Sequence, residues 1–242
     1  MLKREKVLEA THPLILKGIC HRGLHNANDI ENGMRAFQNA VEAGMALELD
    51  VHLTTDGQLI VCHDSDLSRV TGKAGIIEDM TVQEIREQYT LLDGEPLPLL
   101  SEVLDMVKER VPIVLEMKVW NKNRKPLANA VREALKGIRD KRNILLISFD
   151  PFPLLYLKSS GFMRQLLIST IYRKTLLFRR CFEGLDLDKR FLEEKRFQSY
   201  RKKYVINVWT VTSKEDFERV LPYVDTVTFQ DTDAEYIRSR LG

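Results

Sequence analysis

Acidic side chains interrupt two apolar runs of this sequence in a strand-like pattern. Glu48 and Asp50 lie within residues 45–53, and Glu116 lies near the end of residues 112–117. Because successive side chains of a strand alternate between its faces, Glu48 and Asp50 share one face. Carboxylates on apolar strands are costly to bury and repel one another, so a cation is their natural partner. Oxygen ligands alone predict Mg²⁺ or Ca²⁺ rather than zinc.

Histidine and basic side chains lie at the ends of apolar runs like those that contain the carboxylates. His21 and Arg22 end the first apolar run, His63 ends the third, and Lys118 lies two positions beyond Glu116. Two histidines beside a carboxylate cluster can share general-base and general-acid duties near neutral pH. The two cationic side chains suit a phosphate-like anion. A buried ion network, in which a carboxylate pairs with Lys118 or Arg22, is the structural alternative, but three carboxylates on two strands favour a metal.

The other histidines and the cysteines lack such a setting. His52 shares the parity of Glu48 and Asp50, and we expect it to pack or to support the site rather than to react. Cys20 and Cys62 directly precede the two candidate histidines, so they should face away from them into the core. No CxxC pair is present, which excludes zinc-ribbon and thioredoxin-type motifs.

Short apolar runs alternate with helix-length amphipathic segments along the chain. The predicted strands are residues 14–20, 45–53, 58–62, 112–117, 143–148, 165–171, 204–211 and 224–229. The predicted helices are residues 34–43, 100–110, 127–139, 192–203, 214–221 and 234–241. About eight such units predict an α/β fold, a (β/α)8 TIM barrel. A doubly wound open sheet is the alternative, but its GxGxxG fingerprint is absent.

Residues 64–98 break this alternation with turn signals and one short helix near 82–89. They are predicted to form a small insertion after an early strand, at the C-terminal face where barrel active sites lie. Thr81 with Glu84 fits a capping box, and Ser101 and Ser213 are predicted N-caps. No linker or repeat divides the rest, so residues 1–242 are expected to form one domain.

The composition is that of an ordinary globular chain. Its 242 residues include 37 Lys and Arg against 35 Asp and Glu, a net charge of +2. This composition excludes disordered, collagen-like and coiled-coil proteins. No nucleic-acid-binding motif accompanies the low net charge, so nucleic acid is not an expected partner. No signal peptide or apolar run of ~20 residues is found, which predicts a cytoplasmic protein without a transmembrane segment. The oligomeric state is not indicated.

The order and spacing of these residues resemble the glycerophosphodiester phosphodiesterase family. The similarity spans about residues 15–231, and its motifs are His21-Arg22-Gly23, Glu31-Asn32, Glu48-Leu49-Asp50-Val51, His63-Asp64, Leu115-Glu116-Met117-Lys118 and Trp209-Thr210-Val211. The resemblance implies a TIM barrel that hydrolyses a glycerophosphodiester to an alcohol and glycerol 3-phosphate. By the same resemblance the acid–base pair is His21 and His63, the divalent-metal ligands are Glu48, Asp50 and Glu116, and the substrate-binding residues are Arg22, Lys118 and Trp209. Of the histidines, His21 is the expected base and His63 the expected acid.

Residues 171–204 are the least similar to the family. Basic side chains alternate there with apolar ones, which is typical of ordinary barrel helices. Alternatively, residues 171–182 form a basic, apolar lip that contacts a lipid surface. Two other functions therefore stay open. One is a lysophospholipase D-type or other phospholipase-like enzyme acting on lipid-tailed substrates, and the other is a catalytically silent barrel that binds phosphorylated ligands.

Overall fold

Pairing of the first and last barrel strands closes the sheet of this protein, whose computed structural model describes residues 4–242. The strands are β1 (Ile19–Cys20), β2 (Ala46–Leu53), β3 (Leu59–Val61), β4 (Ile113–Met117), β5 (Ile144–Ser148), β6 (Met163–Ile168), β7 (Gly184–Asp188), β8 (Val205–Val211) and β9 (Thr226–Phe229). Their order is β1-β9-β8-β7-β6-β5-β4-β2-β3, with β1 also paired to β2. In the described residues, eight parallel strands thus form the predicted (β/α)8 barrel. β3 is antiparallel to β2.

Helices follow most strands and cover the outside of the barrel. They are α1 (Arg4–Ala10), α2 (Met34–Glu42), α3 (Ser68–Thr71), α4 (Val82–Gln88), α5 (Leu100–Val107), α6 (Arg124–Ala134), α7 (Pro151–Tyr156), α8 (Lys195–Gln198), α9 (Lys214–Val220) and α10 (Ala234–Leu241). The Thr81–Glu84 capping box begins α4, and the Ser213 side chain caps α9. The prediction for Ser101 was wrong, because α5 begins one residue earlier with Leu99 at its N-cap. No helix of the described residues is long and apolar enough to cross a bilayer.

Alternation along the strands divides the buried side chains into two layers. Leu47, Leu49 and Val51 of β2 join the large apolar cluster between the sheet and the helices. Ala46, at the opposite parity, joins a smaller cluster inside the barrel with residues of the other strands. Glu48 and Asp50 have that same inward parity. The apolar layer outside the barrel therefore stabilises the strands. Polar side chains can then lie inside the barrel, near the carboxyl ends of the strands.

Three details of the predicted elements were wrong, although the number of barrel strands, eight, was right. Residues 58–62 were counted as a barrel unit, but β3 pairs antiparallel with β2 and lies outside the closed barrel. β7 was missed, because its sequence of one glycine, two leucines and two aspartates lacks an apolar run. The helix predicted over 192–203 is instead the four-residue α8 flanked by 3₁₀ turns at Lys189–Glu193 and Tyr200–Lys202.

The predicted insertion lies beyond β3 and has an apolar cluster of its own. Its buried members are Ile60, Cys62, Leu67, Val70, Ile77, Ile85, Tyr89, Leu91 and Leu97. The segment Arg173–Cys181, between β6 and β7, differs from it: it forms a 3₁₀ helix in which no residue is fully buried. Both segments reach the face of the barrel at which the strands end.

Candidate active site

The three predicted metal ligands meet at the carboxyl ends of β2 and β4. Strand register sets Asp50 beside Glu116, while Glu48 lies one inward position earlier on β2. One ligand oxygen from each of the three carboxylates lies within 4.8 Å of those of the other two. All three residues are buried, with 2%, 1% and 7% of the surface of Glu48, Asp50 and Glu116 exposed.

Two cationic groups hold this carboxylate cluster together. The Lys118 ammonium lies 2.9 Å from Asp50 Oδ1 and 2.8 Å from Glu116 Oε1. Arg22 donates its backbone N–H to Glu48 Oε2 at 2.9 Å, and its guanidinium lies 3.6 Å from Asp50 Oδ2. Arg22 adopts a left-handed backbone conformation, with φ of 56°. Strand ends and one turn thus concentrate five charged side chains in a small volume.

The charges at this cluster do not balance. Burial, followed by the neighbouring charges of Asp50 and Glu116, raises the pKa of Glu48 well above its ordinary value. Burial likewise raises the pKa of Glu116 to about 7, although Lys118 opposes the shift. The pKa of Asp50 falls despite burial, because Lys118 and nearby cations stabilise its carboxylate. If all three carboxylates are ionised, they exceed the two cations by one negative charge, and the raised pKa values of Glu48 and Glu116 show that this charge is unfavourable without a further cation. Oxygen donors favour a hard cation. The residues present therefore fit a divalent metal.

His21 presents one free ring nitrogen to the site. Its Nδ1 donates to Gln230 Oε1 at 2.5 Å, which leaves Nε2 of the neutral ring as the basic atom. Burial, reinforced by the Arg22 charge, lowers the pKa of His21 to about 4. The imidazole is consequently neutral at pH 7 and able to accept a proton. The role of Gln230 has no local sequence signal, because it depends on β9 pairing beside β1.

His63 lies on the insertion side of the same opening. Its Nδ1 donates to Asp64 Oδ1 at 2.7 Å, and Arg69 Nε donates to Asp64 Oδ2 at 2.6 Å. Arg69 also donates to Glu31, which accepts from Arg22 as well, so hydrogen bonds link the two sides of the opening. Burial and the Lys118 charge lower the pKa of His63, while the bond to Asp64 works in the opposite direction.

Two further polar residues position these groups. His52 has its Nδ1 2.6 Å from Glu78 Oε1 and its Nε2 3.2 Å from the backbone oxygen of His63. It therefore braces the turn that carries His63, in line with the expected supporting role. Asn32 donates its side-chain amide to Asp50 Oδ2 at 2.9 Å. Asn32 was part of the recognised motif, but sequence reasoning gave it no function.

Two of the cavities at the strand ends of the barrel are lined by predicted site residues. The smaller one, of about 110 Å³, is bordered by His21, Arg22, Glu48, His63, Glu116 and Trp209. The larger groove, of about 700 Å³, shares His63 and Glu116 with it and adds Lys118. Its aromatic lining consists of Trp120, Phe149, Phe152, Tyr172 and Phe178. Of the predicted site residues, only Asp50 borders neither space, because it lies beneath Lys118 and Arg22.

Trp209 stands at the wall of the smaller cavity. Its ring meets the Phe149 ring edge-on, with 5.6 Å between the centroids, and its indole N–H lies 3.3 Å from the backbone oxygen of Asp186. Its apolar face is available to a small organic ligand beside the two histidines. The structure thus brings all eight predicted site residues to one end of the barrel.

The protein has a parallel barrel with an acidic cluster and two histidines at its strand ends. These features place it in the class of barrel proteins that process phosphoesters. The model of the glycerophosphoryl diester phosphodiesterase family matches residues 21–173. The chain belongs to this family of phosphoric diester hydrolases, and both the predicted family and the predicted fold are confirmed.

Individual proteins resemble the chain in sequence or in fold. A glycerophosphodiester phosphodiesterase of Bacillus altitudinis is 34% identical over 142 residues, which cover 55% of this chain and 58% of that relative. A crystal structure of the corresponding Thermotoga maritima enzyme is 31% identical, with a TM-score of 0.72 over 90% of this chain and 95% of that one. An Oleispira antarctica phosphodiesterase in complex with the product sn-glycerol-3-phosphate has a TM-score of 0.79 at 22% identity, covering 92% and 95% of the two chains. The last similarity concerns the fold.

Proposed function

We propose that this protein, acting as one barrel domain over residues 1–242, hydrolyses glycerophosphodiesters to an alcohol and glycerol 3-phosphate. The observation that carries the proposal is a buried carboxylate triad with excess negative charge, flanked by two histidines that each leave one ring nitrogen free. Family membership supports the reaction type. A cytoplasmic location, like the absence of nucleic-acid binding, stays a prediction from the sequence.

His21 and His63 divide the proton transfers in this proposal. His21 is neutral at pH 7, so its Nε2 removes the proton from the attacking water or glycerol hydroxyl. His63 borders both cavities and protonates the departing alcohol. Burial and Lys118 lower the pKa of His63, and the Asp64 carboxylate on its Nδ1 opposes that shift by stabilising the imidazolium that this role requires.

The charged residues stabilise the phosphodiester as negative charge develops on its oxygens. Arg22 and Lys118 supply fixed positive charges at the edge of the cavities. Glu48, Asp50 and Glu116 would hold a divalent cation, either Mg²⁺ or Ca²⁺. Such a cation, when bound, supplies Lewis-acid polarisation of a phosphoryl oxygen.

The test is glycerol 3-phosphate release from glycerophosphocholine with Mg²⁺, with Ca²⁺ and with EDTA. We expect turnover that needs a divalent ion and that falls at least about 10³-fold in His21→Ala and His63→Ala. His12→Ala is the matched control, because His12 bonds only the backbone of Leu14 near the other end of the barrel. No turnover of this or any other glycerophosphodiester by the wild type, with either ion, would leave the ligand-binding barrel as the better account.

Lipid-tailed substrates are a second candidate, supported by the surface around the larger groove. We infer that residues 171–182 form a lip that contacts a lipid surface and admits lysophospholipids. Ile171, Tyr172 and Leu177 are exposed, with 84%, 55% and 79% of their surface accessible. Lys174 lines the groove beside them, and the neighbouring segment is basic. Apolar tips among cations are typical of peripheral contact with anionic membranes.

Leu177→Ser tests the lip without disturbing the core. We expect weaker binding to vesicles containing anionic lipid and slower turnover of lysophosphatidylcholine, with turnover of glycerophosphocholine unchanged. Leu92→Ser is the control, because Leu92 is also exposed (64%) but lies in the insertion. Equal losses on both substrates, or no loss on either, would count against the lip.

A further inference from the structure

A basic cavity of about 390 Å³ lies at the end of the barrel opposite the candidate active site. Its lining residues are Arg179, Arg180, Ser199, Tyr200, Lys203 and Tyr204. The two arginines come shortly before β7 begins, and the last two residues directly precede β8. Because the barrel strands are parallel, the starts of β7 and β8 lie on the face opposite the strand ends that carry the catalytic candidates. The cavity is therefore separate from the site described above.

The three cations of this cavity have no carboxylate to neutralise them. Another arginine of the same segment, Arg173, is paired with Glu194. By contrast, Arg179, Arg180 and Lys203 form no ion pair with the described residues, and no acidic side chain lines the cavity. Cations around one space repel one another unless an anion enters it. The cavity thus offers three positive charges to an anion.

Hydrogen-bond donors accompany these charges. Tyr204 is only 5% exposed, and its hydroxyl forms no hydrogen bond with the described residues, yet its oxygen is not among the atoms closed to solvent. Since Tyr204 lines the cavity, this hydroxyl is available to a ligand there. Arg179 donates from Nη1 to the backbone oxygen of Leu176 at 2.9 Å, which positions its guanidinium and leaves its other N–H groups free.

This set of groups is suited to phosphate. Guanidinium and ammonium groups bind phosphate oxygens through charge-assisted hydrogen bonds. Three positive charges favour a phosphate with two or more negative charges, a monoester or a diphosphate, over a singly charged diester. The volume lies in the range of small-molecule pockets. None of the large, exposed apolar side chains of the described residues lines the cavity, so it lacks the groups that insert into a bilayer.

We propose that this cavity is a second anion site, which binds the phosphate groups of a small phosphomonoester or diphosphate from solution. Arg179, Arg180 and Lys203 pair with the phosphate oxygens, and the Tyr204 hydroxyl donates to one of them. The proposal does not depend on the reaction assigned to the strand ends, because the two sites share no lining residue.

A single 3₁₀ helix, Arg173–Cys181, connects this anion site to the larger groove. Its nine residues, at about 2 Å per residue, span about 18 Å. Lys174 and Phe178 line the groove, whereas Arg179 and Arg180 line the anion site. No residue of the helix is fully buried, so few core contacts hold it. A phosphate bound at one end therefore stabilises the helix and the groove wall that it forms.

Isothermal titration calorimetry with inorganic diphosphate tests the site. EDTA in the buffer prevents a divalent ion at the carboxylate triad from holding the diphosphate. We expect Arg180→Gln/Lys203→Gln to bind at least about tenfold more weakly than the wild type, because charged hydrogen bonds are lost. Tyr204→Phe should weaken binding about fivefold. The matched control is Lys195→Gln/Lys202→Gln, which removes the same charge from exposed lysines outside the cavity.

Three results would overturn the proposal. The wild type fails to bind diphosphate, or both double variants weaken binding equally, in which case only net charge matters. In the third case Arg180→Gln/Lys203→Gln binds as the wild type does, and loss of binding in Lys118→Met then assigns the anion to the strand ends. Circular dichroism melting confirms that each variant is folded.

Two further measurements locate the anion and identify its source. Diphosphate should slow hydrogen exchange in residues 179–181 and 199–204, and protection confined to residues 21–23 and 116–118 contradicts the site. Sedimentation with vesicles of phosphatidylcholine and phosphatidic acid tests a lipid headgroup, using Lys203→Gln because Lys203 lies outside residues 171–182. Vesicle binding that is lost in Lys203→Gln, in a protein that ignores dissolved diphosphate, overturns the soluble ligand in favour of a lipid.

Discussion

The two sides of the barrel mouth are built on opposite principles. On the β1–β4 side, every charged site residue is buried or half-buried against a partner, as the half-buried Lys118 is between Asp50 and Glu116. On the β6–β7 side, residues 171–182 expose large apolar side chains, and no residue of the 3₁₀ helix Arg173–Cys181 is fully buried. The first side is a network of ion pairs and hydrogen bonds, and the second is a solvent-exposed apolar surface.

This difference suggests that the two sides tolerate substitution differently, and so affect the reaction and the substrate range separately. Changing one member of a buried network leaves an uncompensated charge, which costs about 3–5 kcal/mol. Changing an exposed side chain usually alters the free energy of unfolding by no more than about 0.5 kcal/mol. We therefore expect the chemistry to depend on the β1–β4 side, and the range of alcohols and tails that the protein accepts to depend on residues 171–182. The family match, over residues 21–173, includes the three carboxylates, Lys118 and both histidines.

Replacing one lysine on each side is the strongest way to break this comparison. We expect Lys118→Met to lower kcat/KM for glycerophosphocholine by about 10²–10³-fold or more, because it removes a fixed charge from the phosphodiester, takes the cationic partner from Glu116 and leaves Asp50 with Arg22 alone. Lys174→Met, on the opposite wall of the same groove, should change it by less than about threefold. Steady-state kinetics at saturating divalent ion measures both.

Comparable losses in the two variants would show that the groove wall takes part in the chemistry, and the division of the mouth would fail. Lys118→Arg provides a check on folding, since it keeps the positive charge while changing its geometry. Thermal melting of all three variants shows whether a loss of activity reflects unfolding.

The strands of the β1–β4 side could be predicted from the sequence more fully than those of the β6–β7 side. On the β1–β4 side, alternating acidic and apolar residues predicted β2 and β4 and the inward direction of Glu48, Asp50 and Glu116. On the other side, β7 carries Asp186 towards the interior, and polar inward residues conceal a strand from any search for apolar runs. The predicted number of barrel strands was still eight, because the antiparallel β3 was counted in place of β7.

The site shows a similar limit. The proposed reactive residues could be singled out because charge within an apolar strand is conspicuous in a sequence. The groups that orient them were not, because Gln230 reaches His21 across 209 positions and Glu78 reaches His52 across 26. Such contacts depend on barrel closure and on the fold of the insertion, which local patterns do not encode. Asn32 lay within a recognised motif, yet its bond to Asp50 became visible only in three dimensions.

A divalent ion should stabilise the β1–β4 side without any substrate. Because the triad binds the ion only when folded, an ion concentration of 100 times its Kd adds about 2.7 kcal/mol to the free energy of unfolding. For a chain of this size that raises Tm by about 5–10 °C over the value in EDTA. Glu116→Gln should lose most of this rise, and Leu177→Ser should keep it. Differential scanning fluorimetry with Mg²⁺ and Ca²⁺ measures the shifts.

The outcome also distinguishes a metal site from a purely ionic network. If the wild type melts at the same temperature in EDTA and in either ion, the carboxylates are balanced within the protein and the metal proposal fails. A rise that persists unchanged in Glu116→Gln would place the ion elsewhere.

The smallest effect concerns His52, which acts through His63 rather than on the substrate. Its Nε2 lies 3.2 Å from the backbone oxygen of His63, and its Nδ1 is held by Glu78. We expect His52→Ala to lower kcat about tenfold with little change in KM, because the turn carrying the proposed acid loses one buried hydrogen bond. His52→Gln, which can still donate to that oxygen, should recover part of the rate.

A pH profile of kcat distinguishes this positioning role from a catalytic one. If His52 only braces the turn, His52→Ala keeps the shape of the wild-type profile at a lower amplitude. The loss of one limb of the profile would instead make His52 a proton-transfer group, and the insertion would then contribute chemistry as well as support. In that case the insertion would have to be added to the β1–β4 side as a second region that takes part in the reaction, while the β6–β7 side would still determine which substrates bind.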